Sequence, residues 1–341
     1  ANTVIYMYYG NSCITDETQN KNAVWNANYK GVWHMSEEVA GIGTADLYQD
    51  STSNSNHGDD NIEATGQTGQ IDGGQQFDGV DDHALVPDPG ESWEFSDGGL
   101  DGGTSDFSIS AWVRLDASGT EIFPTIVKKG GGSDTSGGYW FNYYLSSGTL
   151  DLRVSDGTNR FIANSNTGLG LEGAGWHHVC AVFDREAGTD TAYFYLDGNP
   201  VGSENSSLIA DNSINEDNDL SIGANDSDTW RPWKGEIDEV RISSIVRTPG
   251  WIKTSVNNQE DASTFYGLEG EQSSGNHAPD DPTINDHNDG STISDDTPTL
   301  GFSQSDPDAS EQVKYRIQID ATDNNFGNLV VDYTSDFMAE G

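Results

Sequence analysis

The nine residues Gly235–Ser243, GEIDEVRIS, constrain the chain more than any other stretch. β-branched residues and an alternation of polar and apolar positions mark them as a strand, where side chains two apart share a face. Strict alternation puts Asp238 on the side of Val240 and Ile242. Those two require a core. A carboxylate beside them must find hydrogen-bond donors or a cation, because an uncompensated buried charge costs several kcal/mol. The strand thus poses one question: what Asp238 meets inside.

The surrounding sequence is all-β. Short apolar runs alternate with Gly, Asp, Asn and Ser clusters from residue 31 to residue 270. The spacing predicts strands at Gly31–Met35, Gln76–Phe77, His83–Val86, Phe107–Leu115, Ile122–Lys128 and Tyr139–Leu145. It predicts more at Thr149–Val154, Arg160–Asn164, Trp176–Asp184, Thr191–Leu196, Leu220–Ala224 and Glu236–Ser243. Phe107, Ile109, Ala111, Val113 and Leu115 alternate along one face. Asp197-Gly198 is a hairpin turn. Thr248 and Pro249 provide an N-cap and first turn for a short helix.

Five pieces in order carry a family resemblance: GVWHMSE (31–37), DSTSNSNHG (50–58), FDGVDDH (77–83), GWHHV (175–179) with YLDGN (195–199), and GEIDEVRIS itself. Together they resemble laminin-G-like domains, the concanavalin A-like antiparallel jelly rolls of secreted and surface proteins. The resemblance covers residues 31–270. Residues 1–30 then read as a strand and connector from an upstream β-domain. Residues 271–283 are a linker by composition. Residues 284–341, with strand-like runs at Thr297–Ser303, Gln312–Asp320 and Asn328–Thr334, resemble the first half of an immunoglobulin- or fibronectin-like sandwich, a partial copy of a fold that needs about seven strands.

Composition narrows the partners. Asp plus Glu number 57 against 15 Lys plus Arg, a formal charge of -42. Nucleic acid and anionic membrane surfaces are disfavoured, since both are polyanions. No apolar run approaches the length of a membrane span, so membrane insertion is not expected. The two cysteines, Cys13 and Cys180, leave open a disulfide or a buried free thiol at Cys180.

The resemblance implies a calcium ion. In laminin-G-like relatives the loop matching 50–58 and the strand Asp often share one. Carried onto this chain, Asp50 and Asp238 would be carboxylate ligands, with amide or backbone oxygens from Asn54, Asn56 and His57. The alternative is that Asp50 caps a turn and Asp238 accepts backbone N–H groups. Two further acidic runs, Asp78–Asp82 and Asp211–Asp219, read as solvated loops. For ligand contact the best candidates are Trp230 and Arg231, an aromatic face and forked donors suited to sugar rings. Trp233 reads as core.

Catalysis is not expected. Glycosidases on this fold use Glu-x-Asp-x-(x)-Glu, whose outer carboxylates lie about 5 Å apart for a retaining mechanism. Glu236 and Asp238 fit the first two positions, but Val240 or Arg241 stands at the third. The reading is a calcium-stabilised extracellular recognition or adhesion module for a glycan or protein surface. Its alternatives are a structural filament or surface-layer subunit, and an accessory module of a polysaccharide-degrading enzyme. The strand Thr3–Tyr9 and the half-sandwich at the other end fit either an excerpt of a longer protein or strand donation between copies of this chain, with Val4, Tyr6 and Tyr8 or Ile5, Met7 and Tyr9 facing the acceptor.

Overall fold

The structure is a computed structural model. It describes residues 24–38, 43–63, 67–90, 93–131, 136–225 and 230–261, together with the backbone of short strands between 283 and 339. The strand expected at Thr3–Tyr9, Cys13 and most of the expected linker lie outside the described residues. Contacts divide the chain into residues 1–267 and 268–341.

In the first unit the strands are β1 (Tyr29–Trp33), β2 (Thr44–Tyr48), β3 (Gly58–Asn61), β4 (Gln67–Thr68), β5 (Gly73–Asp78), β6 (His83–Val86), β7 (Phe107–Leu115) and β8 (Thr125–Gly130). They continue with β9 (Gly137–Tyr144), β10 (Thr149–Asp156), β11 (Arg160–Asn164), β12 (His177–Glu186), β13 (Thr189–Leu196), β14 (Asn199–Ser206), β15 (Leu220–Ile222) and β16 (Lys234–Ser243). A helix, α1 (Pro249–Glu260), follows. The strands form two eight-stranded antiparallel sheets: β14-β13-β12-β7-β16-β5-β4 with β1 also on β16, and β11-β10-β9-β8-β15-β6-β3-β2. Their facing sides enclose one core. Phe107, Ile109, Ala111, Val113 and Leu115 enter it from β7, as their alternation requires.

β16 is the hub, and here the structure corrects the parity argument. Its first half pairs with β5 and its second half with β1. Against β7 it shifts register between Asp238 and Arg241. Ile237 lies opposite Val113 and Ile242 opposite Ile109, both core partners, whereas Asp238 lies opposite Trp112 and Arg241 opposite Ser110. One extra residue has been inserted, a β-bulge. Glu239 takes it up at φ 52°, an uncommon conformation for a residue other than glycine. Val240 still reaches the core. Asp238 does not share its face: it points outward, yet is fully covered.

The outer side of the first sheet is partly roofed by α1. Thr248 Oγ1 accepts from Trp251 N, and Pro249 occupies the first turn. Ile252 packs on Cys180, Val182 and Tyr195. Cys180 is a buried free thiol whose pKa burial pushes up to about 12. Asp197 and Gly198, both at positive φ (49° and 71°), make the turn between β13 and β14. In the second unit the backbone shows Thr283–Ile284 on Phe302–Ser303, Gln312–Val313 on Met338–Ala339, and Arg316–Asp320 on Leu329–Thr334.

Candidate functional site

The residues expected to hold calcium are engaged otherwise. Asp50 Oδ1 accepts from Val32 N (3.0 Å) and Thr52 N (2.9 Å). Its Oδ2 accepts from Thr52 Oγ1 (2.7 Å) and Asn56 N (3.0 Å). Its own N–H donates to His57 Nδ1 at 3.0 Å. Asn56 donates to the carbonyls of Lys30 and Gly98, and its carbonyl accepts from Trp33 Nε1. Asn54 donates to the Tyr29 carbonyl. The 50–58 loop is therefore stapled to β1 by its own polar groups.

Asp238 sits elsewhere, under the turn at residues 69–72. Its Oδ2 accepts from Ile71 N at 2.9 Å. Burial pushes its pKa up to about 7, against the backbone N–H groups of Ile71, Gln70 and Glu239 that hold it down. A Cβ at Gly69 would lie 2.5 Å from Asp238 Oδ2, so the turn needs glycine to close over the carboxyl. Asp238 Oδ1 is buried without a hydrogen-bond partner. Asp50 and Asp238 share no hydrogen-bond partner, and Asp50 uses the edge of β1 that does not pair with β16. Calcium asks for six to eight available oxygens. Both oxygens of Asp50 are engaged by N–H and hydroxyl donors, so the Asp50 end of the expected set has little to offer an ion.

Trp230 and Arg231 lie on the connection from β15 to β16, which backbone bonds pin on both sides. Asn225 N donates to Trp230 O, Thr125 N to Arg231 O, and Trp233 N to Gly223 O. Arg231 is held at φ 59°. Its guanidinium lies 4.3 Å from the Trp230 ring centre and 5.0 Å from that of Phe123. Arg153 lies 4.5 Å from the same Phe123 ring, which stacks on Tyr144 at 4.2 Å. Arg153 is anchored on Asp151 (2.7 Å), itself bonded to Asn142. Burial raises the Asp151 pKa, while Arg153 opposes the shift. The result is a ladder of alternating rings and guanidinium planes, with Trp230 48% exposed. Trp233, three residues on, is fully buried in the core.

Beside the ladder opens a cleft of ≈ 300 Å³. Val80, Pro124, Leu145 and Pro232 give it apolar wall, and Asp78, Asp116, Ser118, Thr120, Glu121 and Lys234 give it polar groups. The connections after β5, β7, β9 and β15 all contribute to it. Next to it, carboxylate oxygens of Asp78, Asp81 and Asp82 lie within 4.8 Å of one another. Asp82 accepts from Glu63 N and Asp78 N, and Asp78 from Val80 N, so the cluster also braces its turn.

The strand motif examined for catalysis resolves differently. Glu236 forms a two-pronged pair with Arg114. Arg241 pairs with Glu239, which also meets His34 at 2.5 Å. Burial pushes the Glu239 pKa up, but His34 and Arg241 outweigh it and hold the group below its usual value. Phe123, Tyr144 and Arg153 were not foreseen as part of the ladder. The strand expected at Ile122–Lys128 begins only at Thr125, which leaves Phe123 in the preceding loop. Arg153 carried no local signal, because its ring partner is 30 residues away in sequence.

The family model of the concanavalin A-like lectin/glucanase superfamily matches residues 78–253. The chain belongs to this superfamily. No curated protein matches it. Among solved structures, this superfamily member is similar to the binding domain of Paraclostridial Mosquitocidal Protein 1, with 14% identity and a TM-score of 0.49 over 68% of this chain and 52% of that one. It spans about half of that binding domain. It is also similar to domain 4 of AbnA, a GH43 extracellular arabinanase from Geobacillus stearothermophilus solved with arabinotriose, with 17% identity, a TM-score of 0.44, and 66% and 97% coverage. A third is the Ruminococcus gnavus IT-sialidase CBM40 bound to α2,3-sialyllactose, with 10% identity, a TM-score of 0.39, and 54% and 96% coverage. No helix among the described residues is long and apolar enough to cross a membrane.

Proposed function

We propose that the jelly roll is a non-catalytic glycan-binding module that works outside the cell, and that it binds sugar where Trp230 meets the cleft. One observation carries the reading. Trp230 is a large exposed ring with a guanidinium over it, two residues before Pro232, which lines a concavity that mixes apolar wall with hydroxyl, carboxylate and ammonium groups. Sugar rings present C–H faces to aromatic planes and hydroxyls to polar groups, so they match both halves of this surface. A pinned ring loses little freedom on binding, which favours affinity. Asp78, Asp116 and Glu121 outnumber Lys234 in the cleft, and the chain carries -42 overall. Sulfated and sialylated glycans are therefore disfavoured, and a neutral oligosaccharide is the expected ligand.

The pairing of Glu236 with Arg114 and the burial of Asp238 support a binding rather than a hydrolytic role, because no second carboxylate stands about 5 Å away in the retaining arrangement on this strand. The test is a glycan array probed with the wild type and with Trp230→Ala. The wild type should retain neutral glycans, and Trp230→Ala should lose them while melting at the same temperature. Retention by both proteins alike would place the binding surface elsewhere.

A further inference from the structure

On β10, Leu150, Leu152 and Val154 enter the core, so Asp151 and Arg153 stand on the outer side of the second sheet. Both are nevertheless buried. Asp151 Oδ1 accepts from Arg153 Nε (2.7 Å) and from Asn142 Nδ2 (3.1 Å). The oxygen of that amide accepts from Thr125 Oγ1 at 2.9 Å, so the amide is held from both ends with its nitrogen aimed at Asp151. Thr125 and Asn142 are fully buried.

This one carboxylate serves two guanidinium groups. Burial raises its pKa, and the charges of Arg153 and Arg231 both oppose the shift, so Arg231 too stands within its electrostatic reach. Both guanidiniums lie over the Phe123 ring, 4.5 Å and 5.0 Å from its centre. Arg231 also lies 4.3 Å from the centre of the Trp230 ring. A continuous series of contacts therefore runs from a buried acid to an exposed ring: Asp151, Arg153, Phe123, Arg231, Trp230.

The backbone fixes where the loops run but not how these side chains turn. Tyr143 N donates to Pro124 O, Leu145 N to Ile122 O and Thr125 N to Arg231 O. A guanidinium keeps its plane over a ring in a buried place only while its charge is compensated there. Without the Asp151 charge, water becomes the better place for Arg153. Its departure takes one plane away from Phe123, and Arg231 loses the firm ring beside it. Trp230 then stays in its loop but loses its fixed orientation.

We infer that Asp151 is a positioning residue, which sets the orientation of Trp230 from the outer side of the second sheet through Arg153, Phe123 and Arg231. Its functional consequence rests on the reading of Trp230 as the sugar-stacking ring; its structural consequence does not. A ring ordered before the sugar arrives has less freedom to lose, and one side chain ordered in advance changes affinity by about two- to tenfold.

The experiment follows the Trp230 indole in proton–nitrogen spectra of the full chain, first without sugar and then with the neutral oligosaccharide that the glycan array retains most strongly. Asp151→Asn keeps the side-chain shape and removes its charge. Arg153→Lys keeps the ion pair and removes the stacked plane. In both variants the Trp230 signal should move and its heteronuclear NOE should fall before sugar is added, while the signal of the fully buried Trp33 stays in place. Affinity for the oligosaccharide should fall about two- to tenfold. A Trp230 signal unchanged in both variants overturns the inference. Movement of the Trp33 signal along with that of Trp230 overturns it too, because Asp151 would then support the whole sandwich rather than one ring. The sugar-free spectra decide the inference whether or not a glycan is retained: a Trp230 signal that moves in both variants of a protein that ignores sugar supports the positioning role and sinks the glycan reading alone.

Discussion

Lys129→Met isolates a fully buried cation of the sandwich. The Lys129 side chain is fully buried, and so is that of Asp88. Its ammonium lies 2.5 Å from Asp88 Oδ2, 2.9 Å from Asp101 Oδ1, 2.6 Å from the Glu216 carbonyl and 2.5 Å from that of Asn218. The Trp93 ring centre is 5.6 Å away. Methionine keeps most of the volume, so packing changes little. What it removes is the only cation paired with two buried carboxylates among the described residues. Breaking a buried pair while leaving its partner charged costs about 3–5 kcal/mol. For a unit of this size 1 kcal/mol shifts the midpoint by about 2–4 °C, so the loss should be about 6–20 °C. Adding Asp88→Asn and Asp101→Asn to Lys129→Met should recover much of it, because the uncompensated charges go too. Urea unfolding of the three proteins measures this. A loss below about 1 kcal/mol for Lys129→Met, or no recovery in the triple variant, would refute the argument that charge rather than packing sets the cost.

Three other outcomes follow from the same geometry. Asp50→Ala should destabilise by about 3 kcal/mol, since it leaves the N–H groups of Val32, Thr52 and Asn56 without an acceptor, and urea unfolding checks it. Asp238 has a folded pKa raised from 3.8 to about 7, so folding favours its protonated form; its cost grows as pH rises from about 4 to 7 and is constant above, and Asp238→Asn should flatten that slope in melting curves taken across the range. Gly223→Ala should cost about 1–3 kcal/mol in thermal unfolding, because a Cβ there would sit 2.1 Å from the Phe77 ring on backbone at φ 88°.

The sandwich was legible wherever apolar side chains alternate. Phe107–Leu115 and Arg160–Asn164 lie where the pattern put them, because each buries one face against the opposite sheet. The strands that escaped notice are polar ones: GDDN at Gly58–Asn61, TADLY at Thr44–Tyr48 and NPVGSENS at Asn199–Ser206. β2 and β14 lie at sheet edges, where exposure removes the alternation. Ile122–Pro124, expected as strand, is loop, since Pro124 cannot donate to a ladder.

Trp230 stands out in the run DTWRPWK as an exposed aromatic candidate, but the rings and guanidinium groups around it do not, because Arg153 and Phe123 meet only through the fold. Asp238 shows the limit of parity. A bulge at a non-glycine residue, Glu239, leaves no trace in the alternation, so the side of the sheet on which Asp238 stands could not be read.

The glycan reading rests on Trp230. The chain has nine tryptophans, each with an indole N–H that reports separately in a proton–nitrogen correlation spectrum. Titration with a neutral oligosaccharide retained on the array should move the Trp230 signal, assigned by its absence in Trp230→Phe, and leave those of the fully buried Trp33 and Trp233 in place. An unmoved Trp230 signal at saturating sugar would contradict the account.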